Sequence, residues 1–216
     1  MEFRRFFKLY KNKILAIGFA SLALIAFFTY YIMGLVQSGI AFFTQDEFSV
    51  WNMIVVFVAY ATIFFCNITN DSYAYQGILM FVFLIVADQI LSCFVRVIAC
   101  IANIMTMNPV VIAFTFLQVA FIAGQIYVGV CFYLNSRRYM RGLTDNFKKL
   151  RIYGILFTSM LTLSHAFSIA VLSIDIFGYA TVFDWMVFLS LFLLPGSEVL
   201  MSLSVNFTLE RLRRIR

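Results

Sequence analysis

Long apolar runs separated by short polar stretches make up almost the whole chain. They cover about residues 14–36, 51–69, 77–105, 109–134, 153–173 and 183–208. Each is long enough to cross most or all of the roughly 30 Å hydrocarbon layer as a helix rising about 1.5 Å per residue. In lipid the backbone must bond within its own segment, so runs of this length are helices. Strands of a membrane barrel would alternate apolar and polar positions over about ten residues, a pattern this chain lacks. The expected fold is all-α: one polytopic membrane domain over residues 1–216, a six-transmembrane-helix bundle.

The charges orient that bundle. Of the 16 Lys and Arg residues, all but Arg96 fall in three patches. Arg4, Arg5, Lys8, Lys11 and Lys13 precede the first run. Arg137, Arg138, Arg141, Lys148, Lys149 and Arg151 join the fourth run to the fifth. Arg211, Arg213, Arg214 and Arg216 form the tail. The other connectors carry acids (Asp46 with Glu47, Asp71, and Asp175 with Asp184) or the bare turn Asn108-Pro109. With six spans the three basic patches share one side, and the bias of Lys and Arg makes it the cytoplasmic one. Both termini are therefore expected in the cytoplasm. The first run is longer than the apolar core of a secretory signal and is read as an uncleaved span.

Composition sharpens the class. The chain is 63% hydrophobic and 12% charged, against roughly a quarter charged in soluble domains. Too few polar residues remain to cover a water-facing surface. A net charge of +6 would otherwise suggest nucleic acid. Here the bases flank spans, where they hold topology and attract anionic lipid headgroups, so no nucleic-acid partner is expected. Cys66, Cys93, Cys100 and Cys131 all lie within runs and offer no disulfide framework. A single His leaves neither a Cys/His metal set nor bis-His haem ligation; no metal and no cofactor is expected. Two sequons, Asn67-Ile68-Thr69 and Asn206-Phe207-Thr208, fall at cytoplasmic helix ends and are expected to carry no sugar.

The connector at 135–152 mixes its bases with Met140, Leu143, Phe147 and Leu150, spaced by three and four. That spacing predicts a short amphipathic cytoplasmic helix. It would rest on anionic headgroups or dock a cytosolic partner through Arg137, Arg138, Arg141, Lys148, Lys149 and Arg151. Phe3 to Leu9 is a second candidate for an interfacial segment.

An ionisable side chain deep in a span is costly and marks a candidate functional site. Asp88, Arg96 and Glu198 qualify. Asp88, Ser92, Arg96 and Asn103 share one broad helix face, with Asp88 and Arg96 roughly 12 Å apart along the axis. They form either a counter-charged site or a structural clamp. Thr115, Gln118 and Gln125 on the fourth run are candidates for lining a path or for bonding helices together. In Leu194-Pro195-Gly196-Ser197-Glu198 the proline removes an amide donor and the glycine loosens the helix. A kink or break is expected at Pro195 and Gly196, with Glu198 one turn beyond. Broken helices near mid-membrane build many transporter sites; a kinked packing helix is the alternative. His165 shares a face with Thr158 and Thr162, as a proton relay or as a satisfied polar residue. Ala16, Ala20 and Ala23 form a small-residue stripe that permits close helix approach, within the chain or to another subunit.

Enzyme signatures are absent: no Gly-rich phosphate loop, no His-Glu-x-x-His, no Gly-x-Ser-x-Gly. No catalytic residue is expected. Leu84-Ile85-Val86-Ala87-Asp88 resembles the apolar-Ala-Asp motif on the second helix of rhodopsin-like receptors, and Arg137-Arg138-Tyr139 loosely resembles the end of their third. An extra span before them, an inside N-terminus and an end two helices early depart from that pattern. Six spans, both ends inside and a small-residue first helix are similar to the substrate-capturing subunits of energy-coupling-factor vitamin transporters, in architecture only. Neither resemblance assigns a family. The expectation is a small transporter permease, or the membrane subunit of a transporter or channel. Its polar path would run through Asp88, Gln118, Gln125, His165 and Glu198, with Arg96 as counter-charge. The alternatives are a structural or accessory subunit of a larger membrane complex and, less favoured, a membrane receptor.

Overall fold

A computed structural model describes residues 2–39, 47–69, 71–103, 109–143, 146–179 and 185–213. They form six α-helices: α1 (Glu2–Ser38), α2 (Glu47–Thr69), α3 (Asp71–Asn103), α4 (Pro109–Met140), α5 (Phe147–Tyr179) and α6 (Trp185–Leu212). The fold is all-α, and each apolar run forms the body of one helix. Four helices are long and apolar enough to cross a bilayer, over Tyr10–Gln37, Tyr73–Leu91, Phe116–Met140 and Phe188–Leu212; Met53–Thr69 is a shorter apolar stretch. By helix composition this is a multi-pass membrane protein. Asp46, Asn108, Asp184, Arg214 and Arg216 lie outside the described residues, as do the side chains of Arg4, Arg5, Lys8, Ser92, Arg96, Cys100, Asn103, Thr115 and Asp175.

Each helix packs on the next in sequence, and α6 returns to pack along α1, which closes a ring. α6 also touches α2 and α3 across the ring, so it sits towards the centre. The α1–α6 seam is the most extensive, and the sequence explains it. Ala16, Ala20 and Ala23 are fully buried, and Ser204 Oγ donates to the Ala16 carbonyl at 2.6 Å. Only small side chains let a hydroxyl reach a neighbouring backbone carbonyl. The alanine stripe is thus used up inside the chain, which corrects the option of docking another subunit there. The opposite face of α1 exposes Ile14, Leu22, Ile25, Phe28, Ile32 and Val36. The described core, in contrast, holds buried Asn67, Asp88, Glu198, Ser202, Ser204, Thr208 and Arg211. An apolar exterior around a core that mixes apolar side chains with these polar ones departs from the soluble pattern, and it suits a bundle whose outer solvent is lipid.

Two sequence expectations are corrected. The connector forms no helix of its own. α4 runs to Met140 and α5 starts at Phe147, so the predicted stripe is split between two helices. Gly142 ends α4 with φ +69; Leu143 N–H bonds the Arg138 carbonyl at 3.0 Å and Gly142 N–H the Tyr139 carbonyl at 3.1 Å. This is the two-bond glycine cap that terminates helices. Asn146 then caps α5, its Oδ1 accepting from Lys149 N–H at 3.0 Å, the third helical position expected of an N-cap. Phe147 and Leu150 turn into the core, while Leu143 is exposed. The second correction concerns Pro195 and Gly196. α6 is one helix from Trp185 to Leu212 with Pro195 inside it, so the break is absent, whereas a kink is compatible with a continuous helix. Proline cannot donate to the carbonyl four residues back, but one lost bond in a helix of this length is offset by packing. Ser197 Oγ adds a local bond to the Leu194 carbonyl at 2.7 Å.

Candidate functional site

The site is built on α6. Its polar residues fall into two stripes at helical spacing. Glu198, Ser202, Asn206 and Glu210 recur every fourth residue and face α5. Ser197, Ser204, Thr208 and Arg211 lie on the other side, towards α1 and α2. An α-helix turns about 100° per residue, so a period of four drifts slowly across one face, and steps of seven, four and three stay on another.

Along the first stripe every polar residue meets α5. Arg151 Nε pairs with Glu210 Oε1 at 2.8 Å. Asn206 Nδ2 donates to Thr158 Oγ1 at 2.8 Å, and Thr158 and Ser202 share a hydroxyl hydrogen bond at 2.7 Å. His165 Nε2 meets Glu198 Oε2 at 2.8 Å. The pairs ascend α5 as they descend α6, which fixes the two helices as antiparallel. Twelve residues of helix separate Glu210 from Glu198, about 18 Å at 1.5 Å per residue. The ladder therefore runs from the basic connector deep into the bundle.

The second stripe ties α6 to α2 and α1. Tyr60, fully buried, shares a hydrogen bond with Ser197 at 3.0 Å. Thr208 Oγ1 donates to Asn67 Oδ1 at 2.9 Å, and Asn67 Nδ2 donates to the Ile63 carbonyl at 3.0 Å. The asparagine of one sequon thus bonds the threonine of the other. Both asparagine amides are engaged between helices.

The inner end of the ladder gathers the strongest groups. Glu198 is 6% exposed and Asp88 on α3 is also 6% exposed. Their carboxyl groups lie within electrostatic reach of each other, and Tyr31 of α1 lies within reach of both. His165, Glu198, Asp88, Ser197, Tyr60 and Tyr31 thus draw on α1, α2, α3, α5 and α6. A carboxyl bonded to an imidazole nitrogen can hold one proton between them or hand it on. Gln125 of α4 is buried at 1% exposure, and its Nε2 has no hydrogen-bond partner among the described residues. Gln118 is half-buried. Among the described residues no group of His, Cys, Asp and Glu is placed to hold a metal ion.

Of the residues picked out from the sequence, the structure brings together Asp88, His165 and Glu198. Pro195 and Gly196 sit in the unbroken turn just before them. Arg137, Arg138, Arg141, Lys148 and Lys149 are exposed at the connector; Arg151 is 56% exposed and joins the ladder. Arg211 was expected in a basic tail, but it is buried at 2% exposure. Sequence reasoning missed Tyr60, Asn67, Ser202, Ser204, Asn206 and Thr208. For the four residues on α6 the one available signal was the recurrence of polar positions through the sixth run; Tyr60 and Asn67, on α2, carried none.

No protein-family model, curated protein or solved structure matches this chain.

Proposed function

We propose that the chain is a small membrane permease, or the membrane subunit of a transporter or channel, with six spans and both termini in the cytoplasm. The observation that carries this reading is the polar ladder along the α5–α6 seam, ending at the His165–Glu198 contact of 2.8 Å within electrostatic reach of Asp88. Polar groups lining one seam for about 18 Å offer stepwise replacement for the hydration of an ion or proton. Asp88 and Glu198 are buried carboxyl groups on α3 and α6, which favours a cation or proton as the moving species. Arg96 would balance the carboxyl groups, and Gln118 and Gln125 would extend the path along α4. No covalent chemistry is part of this function, and no cofactor.

The test is flux. Asp88→Asn and Glu198→Gln, each preserving shape while removing charge, should abolish uptake or proton flux in proteoliposomes while expression and detergent elution stay unchanged. Unaltered flux in both variants rejects the reading. Orientation has its own test. Leu143→Cys, at an exposed position on the connector, should resist membrane-impermeant thiol reagent in intact cells and react after permeabilisation. Labelling from outside would reverse the topology.

A second reading is supported by a specific observation. The bonds of Ser197, Ser204 and Thr208 lock α6 to α1 and α2, as polar residues do when they hold helices together. A structural or accessory subunit needs only that. It would show no flux, and other membrane subunits or a cytosolic protein at the basic connector would co-purify with it in fixed ratio.

A further inference from the structure

A groove of about 340 Å³ opens beside the outer half of the ladder. Its lining changes character along its length. Arg151, Glu210 and Phe147 form the connector end, and Ile155, Leu203 and Phe207 form an apolar wall. Thr158, Ser159 and Asn206 close the inner end. The volume is at the small end of the roughly 300–1,000 Å³ range of ligand pockets, so it suits part of a long molecule. Ile155 and Ser159 are exposed on the outer face of α5, which leaves the groove open sideways.

Charge decides the occupant. The mouth carries Arg151, and Arg213 lies 5.1 Å from the centre of the Phe147 ring. Among the described residues the carboxylate of Glu210 stands against these two cations, already paired with Arg151 through Nε. An arginine has further N–H donors on its terminal nitrogens, and this one is 56% exposed. Lys148 and Lys149 are exposed on the first turn of α5. The mouth is therefore net positive and sits directly above an apolar wall. A phosphate ester joined to an acyl chain matches both parts.

We propose that the α5–α6 groove is a binding site for one anionic phospholipid, its phosphate on Arg151 and one acyl chain along Ile155, Leu203 and Phe207. The site rests on the reading that α5 and α6 lie in a bilayer with the connector at headgroup level. It does not require transport. A phosphate reaching Arg151 leaves the inner ladder untouched, so a bound lipid covers the seam from outside without entering it.

The experiment is native mass spectrometry of the detergent-purified full chain, titrated with phosphatidylglycerol or phosphatidylcholine of the same chain length. Wild type should retain one phosphatidylglycerol in preference to phosphatidylcholine. Arg151→Gln should weaken that retention about fivefold, the contribution of one base near an anionic headgroup. Arg151→Lys should restore part of it. Ser159→Trp should fill the exposed inner end and abolish retention while keeping the Arg151–Glu210 pair. Equal binding of the two lipids, or retention unchanged in both Arg151→Gln and Ser159→Trp, overturns the proposal. Glycerol phosphate that competes as well as the lipid also overturns it, since the acyl chain then contributes nothing. Alkaline carbonate extraction of the same variants reports separately on membrane insertion, so a failed lipid site is distinguishable from a failed membrane reading.

Discussion

His165→Leu is expected to destabilise the bundle by about 1–3 kcal/mol, and His165→Leu with Glu198→Leu to recover most of that loss. The single change leaves the Glu198 carboxyl buried with its 2.8 Å partner gone. A buried polar group deprived of its bond forfeits its desolvation energy, about 1–3 kcal/mol and more if charged. Replacing both partners by apolar groups of similar bulk is often neutral or stabilising. Thermal unfolding in detergent followed by aggregation or thiol exposure reads the cycle. Two additive losses would mean that the pair does not interact. The same proteins also separate the two functional readings. A rescued double variant that has lost a flux shown by the wild type supports the permease. A rescued double variant that assembles normally with its companions supports the accessory subunit.

Gly129→Ala is expected to cost about 1–3 kcal/mol, the range for overpacking a close-fitted core. An added Cβ would overlap Val86 Cγ2 on α3 and lie 3.1 Å from Phe157 Cε2 on α5. Valine is stiff at χ1, and Phe157 is fully buried against Phe132, so neither neighbour yields cheaply. Gly129 is where α4 meets both helices that flank it. Gly18→Ala is the control. Nothing lies within 4 Å of a Cβ there, and alanine is up to about 1 kcal/mol the better helix former. The two variants should shift thermal stability in opposite directions. A stabilising Gly129→Ala would mean that α3, α4 and α5 are not packed as closely as described.

Helix number and placement were legible because apolar runs have one solution in lipid. The corrected elements share a cause. A stripe over Met140, Leu143, Phe147 and Leu150 satisfies helical spacing whether or not the helix is continuous. Gly142 and Asn146, whose backbone geometry and capping decide the matter, carry no hydrophobic signal. Pro195 with Gly196 reads as a break because local propensity is all the sequence displays, whereas α6 is held by bonds from three neighbouring helices. Asp88, His165 and Glu198 stood out as isolated ionisable groups. Tyr60, Asn67, Ser202 and Thr208 did not, since hydroxyl and amide side chains are common in spans and gain meaning only from their partners. The Ala16–Ala23 stripe showed that something packs closely on α1. It did not show what, because the contacting residues lie far along the chain.

The bonding of α6 sets an order of assembly. Tyr60, Asn67, Thr158 and His165 belong to segments made before it, and each finds its cross-helix partner on it. Until α6 is made, the bonds of those side chains to it cannot form. The first five helices alone therefore leave polar side chains on the faces that α6 comes to cover, so the last segment completes the bonding of those before it.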